Sequence, residues 1–68
     1  MPIEIFVNGN THSTSSRQTI LGLIRELGLD PARVAVELDR AIVKQARWAD
    51  TPLHNGAALE VVQFVGGG

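Results

Sequence analysis

With 68 residues, the chain has room for one small domain, which at this size buries only about 60% of the surface its unfolded form exposes. Apolar residues make up 44% and charged residues 19%, a globular rather than disordered composition, and a net charge of −1 with acids and bases interspersed points to no nucleic-acid partner and no membrane surface. The absence of cysteine excludes disulfides and thiolate metal sites and suits a reducing, cytoplasmic setting. No basic segment followed by an apolar one opens the chain, so no signal peptide is expected, and no apolar run approaches the roughly 20 residues of a membrane helix.

Ile3-Glu4-Ile5-Phe6-Val7 predicts a strand, with Ile3, Ile5 and Val7 on one face and Glu4 and Phe6 on the other. Asn8-Gly9-Asn10 predicts a hairpin turn, because Asn and Gly tolerate positive φ, and Thr11 to Thr14 returns as a short polar strand that includes His12. Ser15 to Gln18 reads as a loop, and Thr19 as a helix N-cap. Ile20, Leu23, Ile24 and Leu27 follow the spacing of one helical face. Gly22 costs that helix about 1 kcal/mol relative to Ala, and Gly28 is placed as its left-handed cap, with Leu29 folding back.

Asp30-Pro31 breaks the chain. Val34 to Leu38 alternates as a strand, Asp39-Arg40 is a tight turn, and Ala41-Ile42-Val43 is a further short strand. Lys44 to Asp50 predicts a single helical turn carrying Trp48 as a satellite core anchor. Thr51 to His54 is irregular, Asn55-Gly56 is a turn, and Leu59 to Val65 is the closing strand.

This order predicts an α+β domain over residues 1–65: a mixed sheet of four to five strands, one main helix on one face, and the two terminal strands as parallel neighbours at the centre. That arrangement is the β-grasp, or ubiquitin-like, fold. Ile3, Ile5, Val7, Val34, Val36, Leu38, Leu59 and Val61 should lie beneath the helix. Phe6, Val62 and Phe64 then fall on the uncovered face, where clustered exposed aromatics predict a partner-docking patch.

Gly66, Gly67 and Gly68 follow the closing strand as an expected flexible tail. Glycines add nothing to a core, but they let backbone pass where a Cβ would clash. They do not precede a helix, so they form no phosphate loop. The expected working group is the carboxylate of Gly68. Catalysis by the chain's own side chains is not expected. Ser13, Ser15 and Ser16 lie in no nucleophile motif, and His12 and His54 lack metal-ligand spacing and read as solvated surface histidines.

The segment Val34-Ala35-Val36-Glu37-Leu38, the pair Ile42-Val43 followed by Trp48, then Thr51-Pro52-Leu53, Asn55-Gly56 and Glu60 to Gly68 resemble the ThiS family, the ubiquitin-like sulfur carriers of thiamine biosynthesis. The resemblance covers essentially the whole chain. Asp39-Arg40 replaces the family's usual Asn-Gly-type turn, Lys44 stands where Pro is frequent, and Ala57 stands where an acidic residue is frequent; these read as turn and surface changes.

The resemblance implies a carrier rather than an enzyme, with no cofactor of its own. A partner similar to the ubiquitin-activating enzymes (ThiF/MoeB type) would adenylate Gly68 using ATP and magnesium. A cysteine desulfurase or other persulfide donor would supply sulfur for a C-terminal thiocarboxylate, and thiazole synthase (ThiG) would receive it. The free carrier is expected to be a monomer. The small subunit of molybdopterin synthase, a carrier for another sulfur-transfer pathway, and an unmodified ubiquitin-like docking module are the alternatives.

Overall fold

The computed structural model describes residues 1–65; the expected tail, Gly66, Gly67 and Gly68, lies outside the described residues. Strand β1 (Pro2–Val7) turns into β2 (Asn10–Ser15) through Asn8 and Gly9, both at positive φ (51° and 84°). That is the turn geometry whose twist matches an antiparallel hairpin, and it is why Asn-Gly stands there. Helix α1 (Ile20–Glu26) follows, then a 3₁₀ turn over Pro31–Arg33. β3 (Val34–Leu38) and β4 (Ala41–Val43) form a second hairpin, a 3₁₀ turn spans Gln45–Asp50, and β5 (Ala58–Gln63) closes the sheet. The strand order is β2-β1-β5-β3-β4, with β1 and β5 parallel and the other neighbours antiparallel. This is the expected β-grasp, with β5 at the centre.

Helix α1 is bounded as its residues dictate. The Thr19 hydroxyl accepts from the Gly22 N–H at 3.1 Å, satisfying one of the orphan donors at a helix start. At the other end Gly28 sits at φ 74°, its N–H bonds the Arg25 carbonyl at 3.0 Å, and the Leu29 N–H bonds the Ile24 carbonyl at 3.1 Å. These two bonds make a Schellman cap, which requires the left-handed residue that Gly supplies. Gly22 has a separate reason. A Cβ there would overlap Gln18 Oε1, and that carboxamide is tied down by the Thr19 N–H (3.1 Å), the Thr14 hydroxyl (3.2 Å) and Glu26 Oε1 (3.3 Å).

Ile20, Leu23 and Ile24 of α1 pack on Ile5, Val34, Val36 and Leu59 of the sheet, and Ile3, Val7, Leu38 and Val61 pack around them half-buried. Each fully buried Ile or Leu contributes roughly 1.5–3 kcal/mol, so this layer supplies most of the stability of so small a domain. Trp48 is 1% exposed and donates its indole N–H to the Val43 carbonyl at 2.8 Å. It belongs to the main core, not to a satellite of it, because the 3₁₀ turn carries it against α1.

Three further expectations are corrected. β5 ends at Gln63 rather than Val65, since β3 offers no strand partner beyond Val34, which faces Gln63. Ala57 is fully buried, so the residue at that position is a core residue and not a surface change. The histidines are tied down rather than freely solvated. His12 Nε2 meets Glu26 Oε2 at 2.7 Å, and His54 Nε2 meets Asp39 Oδ2 at 2.9 Å.

Candidate functional site

Strand β5 carries the chain out of the fold. On one side it pairs with β3, and the Phe64 N–H continues that ladder by bonding the Arg33 carbonyl at 2.7 Å. On its other side β1 stops at Val7. The Asn8 side chain takes over: its Oδ1 accepts from the Val61 N–H at 2.8 Å and its Nδ2 donates to the Val61 carbonyl at 3.1 Å. One carboxamide thus replaces a residue of a neighbouring strand, and the direction in which β5 leaves the domain is set from both edges. Val65, the last described residue, is 97% exposed.

Alternation along the strands divides the sheet. Glu4 and Phe6 of β1, Ala35 and Glu37 of β3, Ile42 of β4, and Ala58, Glu60 and Val62 of β5 face away from α1. Val62 and Phe64 are more than half exposed, and Phe6 is at the margin of exposure. The three are not one cluster. Phe6 lies beside Ala58, and Val62 is four residues farther along β5, a separation of roughly 13 Å at the rise of a strand. The structure instead places Ala35 opposite Val62 and Ile42 opposite Glu37. Ile42 is 80% exposed, and with Ala35, Glu37, Glu60 and Val62 it lines a shallow hollow of about 110 Å³. Sequence reasoning missed Ile42 because Ala41, Ile42 and Val43 are all apolar and do not say which face of β4 is inward; the structure packs Val43 on the core, which turns Ile42 outward.

The hollow is far below the roughly 300 Å³ at which pockets begin to hold small molecules. Among the described residues no group of three or more His, Cys, Asp and Glu side chains is positioned to hold a metal.

Within the strands the charged residues of this face are all acidic, while Lys44 and Arg33 flank it just beyond β4 and before β3. Glu37 and Glu60 are direct cross-strand partners, an arrangement that sets like charges about 5 Å apart at Cβ and costs stability. Among the described residues the ion pairs are His12–Glu26, Arg33–Asp30 and His54–Asp39, so neither glutamate has a cation partner. No strand contains Lys or Arg.

The β3–β4 turn is pinned to the start of β5. Asp39, at φ 50°, takes the Ala58 N–H on Oδ1 at 3.0 Å and His54 on Oδ2. The Ala58 N–H, helped by His54, holds the Asp39 carboxyl below its ordinary range. His54 Nδ1 also meets the Asn55 carbonyl, at 3.0 Å. Both of its acceptors are oxygens, so both ring nitrogens must carry protons for both bonds to form. The Asp39 carboxylate, then the Asn55 carbonyl, accordingly raise its pKa. At the opposite edge His12, seconded by Thr14 and Gln18, lowers the pKa of Glu26 against the smaller opposing effect of burial. Neither cluster lies on the uncovered face.

The fold and the chain each have known counterparts. The crystal structure of the thiamine biosynthesis protein ThiS from Geobacter metallireducens superposes with a TM-score of 0.83 at 25% identity, covering 97% of this chain and 100% of that one. A thiazole synthase from Paramagnetospirillum magneticum is 36% identical over 66 residues, and the chain spans only 20% of that protein's length. A thiazole synthase from Magnetococcus marinus matches in the same way, at 36% identity and 20% of its length. The model of the ThiS family matches residues 4–68, which takes in every strand but the first residues of β1. With the whole domain matched in sequence and the same fold in a solved ThiS, the chain belongs to the ThiS family.

Proposed function

We propose that this protein is a sulfur carrier of thiamine biosynthesis and that the carboxylate of Gly68 is the group it carries sulfur on. Family membership over residues 4–68 is the observation that bears most weight. The likeness of the chain to a fifth of two thiazole synthases supports thiazole synthase as the acceptor partner. The exposed exit of β5 beyond Asn8 supports a tail delivered into a partner's site.

The chemistry follows from the poverty of a carboxylate as an electrophile. An α-carboxyl has an ordinary pKa near 3.5, so it is ionised at neutral pH and can attack the α-phosphorus of ATP bound with magnesium in a ThiF-like partner. Pyrophosphate leaves, and an acyl-adenylate forms. The terminal sulfur of a persulfide, generated by a cysteine desulfurase or another donor, attacks the carbonyl carbon and AMP leaves. A thiol then attacks the outer sulfur of the acyl disulfide, leaving a disulfide and the thiocarboxylate of Gly68. Thiazole synthase takes the sulfur. Gly66 and Gly67 lend the approach a backbone with no side chains to clash.

Docking energy comes from the sheet face, with Val62 and Phe64 beside the exit and Phe6 farther along it. Phe64→Asp is expected to slow adenylation while the urea midpoint stays unchanged, since Phe64 lies outside the core. Undiminished adenylation would remove Phe64 from the docking face. Deleting Gly68, or adding one residue after it, is expected to abolish sulfur loading, and loading of either variant at the normal rate would overturn the role of that carboxylate.

A further inference from the structure

The Asn8 side chain does more than its turn requires. A two-residue hairpin turn asks for a left-handed first residue, and Gly meets that demand with less strain than Asn. The turn does not ask for a side chain that holds another strand across 53 residues of sequence. β1 pairs with β5 at Ala58 and Leu59, and the Asn8 N–H adds a bond to the Leu59 carbonyl at 2.9 Å. The carboxamide then takes both the N–H and the carbonyl of Val61. Fastening on that side of β5 thereby runs two residues farther than backbone pairing carries it. On the other side the β3 ladder runs to Gln63, and the Arg33 carbonyl holds the Phe64 N–H. Without the carboxamide, β5 beyond Leu59 would hang from the β3 side alone, and a strand fastened along one edge is free to twist about it.

Resting on the carrier reading above, we propose that Asn8 is a positioning residue for the reaction at Gly68: by holding β5 from its second edge, it sets the line along which the tail enters the adenylating enzyme. Glycines supply reach but no direction. Direction has to come from the last part of the chain that the fold holds. Seven residues lead from Val61 to Gly68, a span of at most about 25 Å when extended. The angle between neighbouring strands varies by about 10° around its mean, and a swing of that size at Val61 moves the far end by about 4 Å. A misplacement of about 1 Å can cost a reaction roughly a hundredfold in rate. Bending of the glycines recovers part of the error, so the expected loss is roughly tenfold. The clamp bonds to backbone groups in the plane of the sheet, so its removal leaves the residues on the uncovered face in place and acts on the reacting step rather than on docking.

The test is single-turnover adenylation of the full chain by an excess of a ThiF-like enzyme, which separates the rate at saturation from the enzyme concentration that half-saturates it. Wild type is compared with Asn8→Gly, which removes both bonds to Val61, and with Ile24→Val, which loosens the core from the helix side and leaves the clamp intact. All three are assayed at a temperature where circular dichroism shows each to be folded. Asn8→Gly is expected to lower the saturated rate roughly tenfold with half-saturation unchanged, and Ile24→Val to leave both values at wild type. A wild-type saturated rate in Asn8→Gly would overturn the inference. So would a loss confined to half-saturation, which would make Asn8 a contact of the enzyme, or an equal loss in Ile24→Val, which would make the effect one of stability. In each of those cases the carrier reading stands, because the wild-type chain is adenylated. If an enzyme active on its own carrier fails to adenylate the wild-type chain, the carrier reading falls, and this inference falls with it.

Discussion

Replacing Asn8 with Gly isolates the clamp on the central strand. Asn8 does two separable things: it adopts φ 51° in the hairpin turn, and its carboxamide makes both hydrogen bonds to Val61, at 2.8 and 3.1 Å. Gly adopts positive φ more readily than Asn does, so Asn8→Gly removes the clamp without backbone strain. A net intramolecular hydrogen bond is worth about 1 kcal/mol. Two are lost, and Val61 is half-buried, so water recovers part of the loss. The expected cost is about 1–2 kcal/mol, which in a domain of this size lowers the melting temperature by roughly 4–16 °C. Asn8→Ala should cost about 1 kcal/mol more, because it adds the strain of a left-handed L-residue. Urea unfolding followed by Trp48 fluorescence reads both, with an unchanged m-value indicating that the folded state is otherwise preserved. Asn8→Gly as stable as wild type would refute the clamp and reduce Asn8 to a turn residue.

Other consequences follow from the turns and polar clusters. Arg40 is held at φ 71°, so Arg40→Gly should stabilise the fold by about 1 kcal/mol in the same urea assay; no gain would mean that the side chain offsets its own strain. Gly22→Ala should fail to give the usual gain of about 1 kcal/mol, because the methyl displaces the Gln18 carboxamide. The gain should return in Gly22→Ala/Gln18→Ala, and its appearance in the single variant would contradict that contact. His54 has a folded-state pKa raised above 6.5. Its contribution to stability is therefore complete below that value and lost as pH rises through the higher folded value. Melting temperature should decline as pH rises above about 6.5, and His54→Ala should flatten that decline; an equal slope in both proteins would exclude the His54–Asp39 contact as its source.

Most of the fold was legible because local and global signals agree. The alternation of Val34 to Leu38, the i, i+3, i+4 apolar spacing of α1, and Asn-Gly or Gly at turns and caps each specify one conformation and one buried face. The uncovered face was legible only in part. Alternation says that Phe6, Val62 and Phe64 face away from the helix, but not where they fall along the sheet. That depends on the parallel register of β1 against β5, which no local signal encodes. The same lack of register hid the Glu37–Glu60 pair and the place of Ile42 beside Glu37. Ala57 read as a surface residue because a single Ala after a turn has no periodicity to report burial. The Asn8 clamp and the histidine contacts depend on side chains meeting across 53, 14 and 15 residues of sequence.

The most direct test of the carrier role is the intact mass of the full chain before and after incubation with its adenylating enzyme, ATP, magnesium and a persulfide donor. The account predicts a gain equal to the exchange of one oxygen for one sulfur, located on Gly68 by fragmentation and dependent on ATP. An unchanged mass, with the same enzyme shown to load its own established carrier, would contradict it.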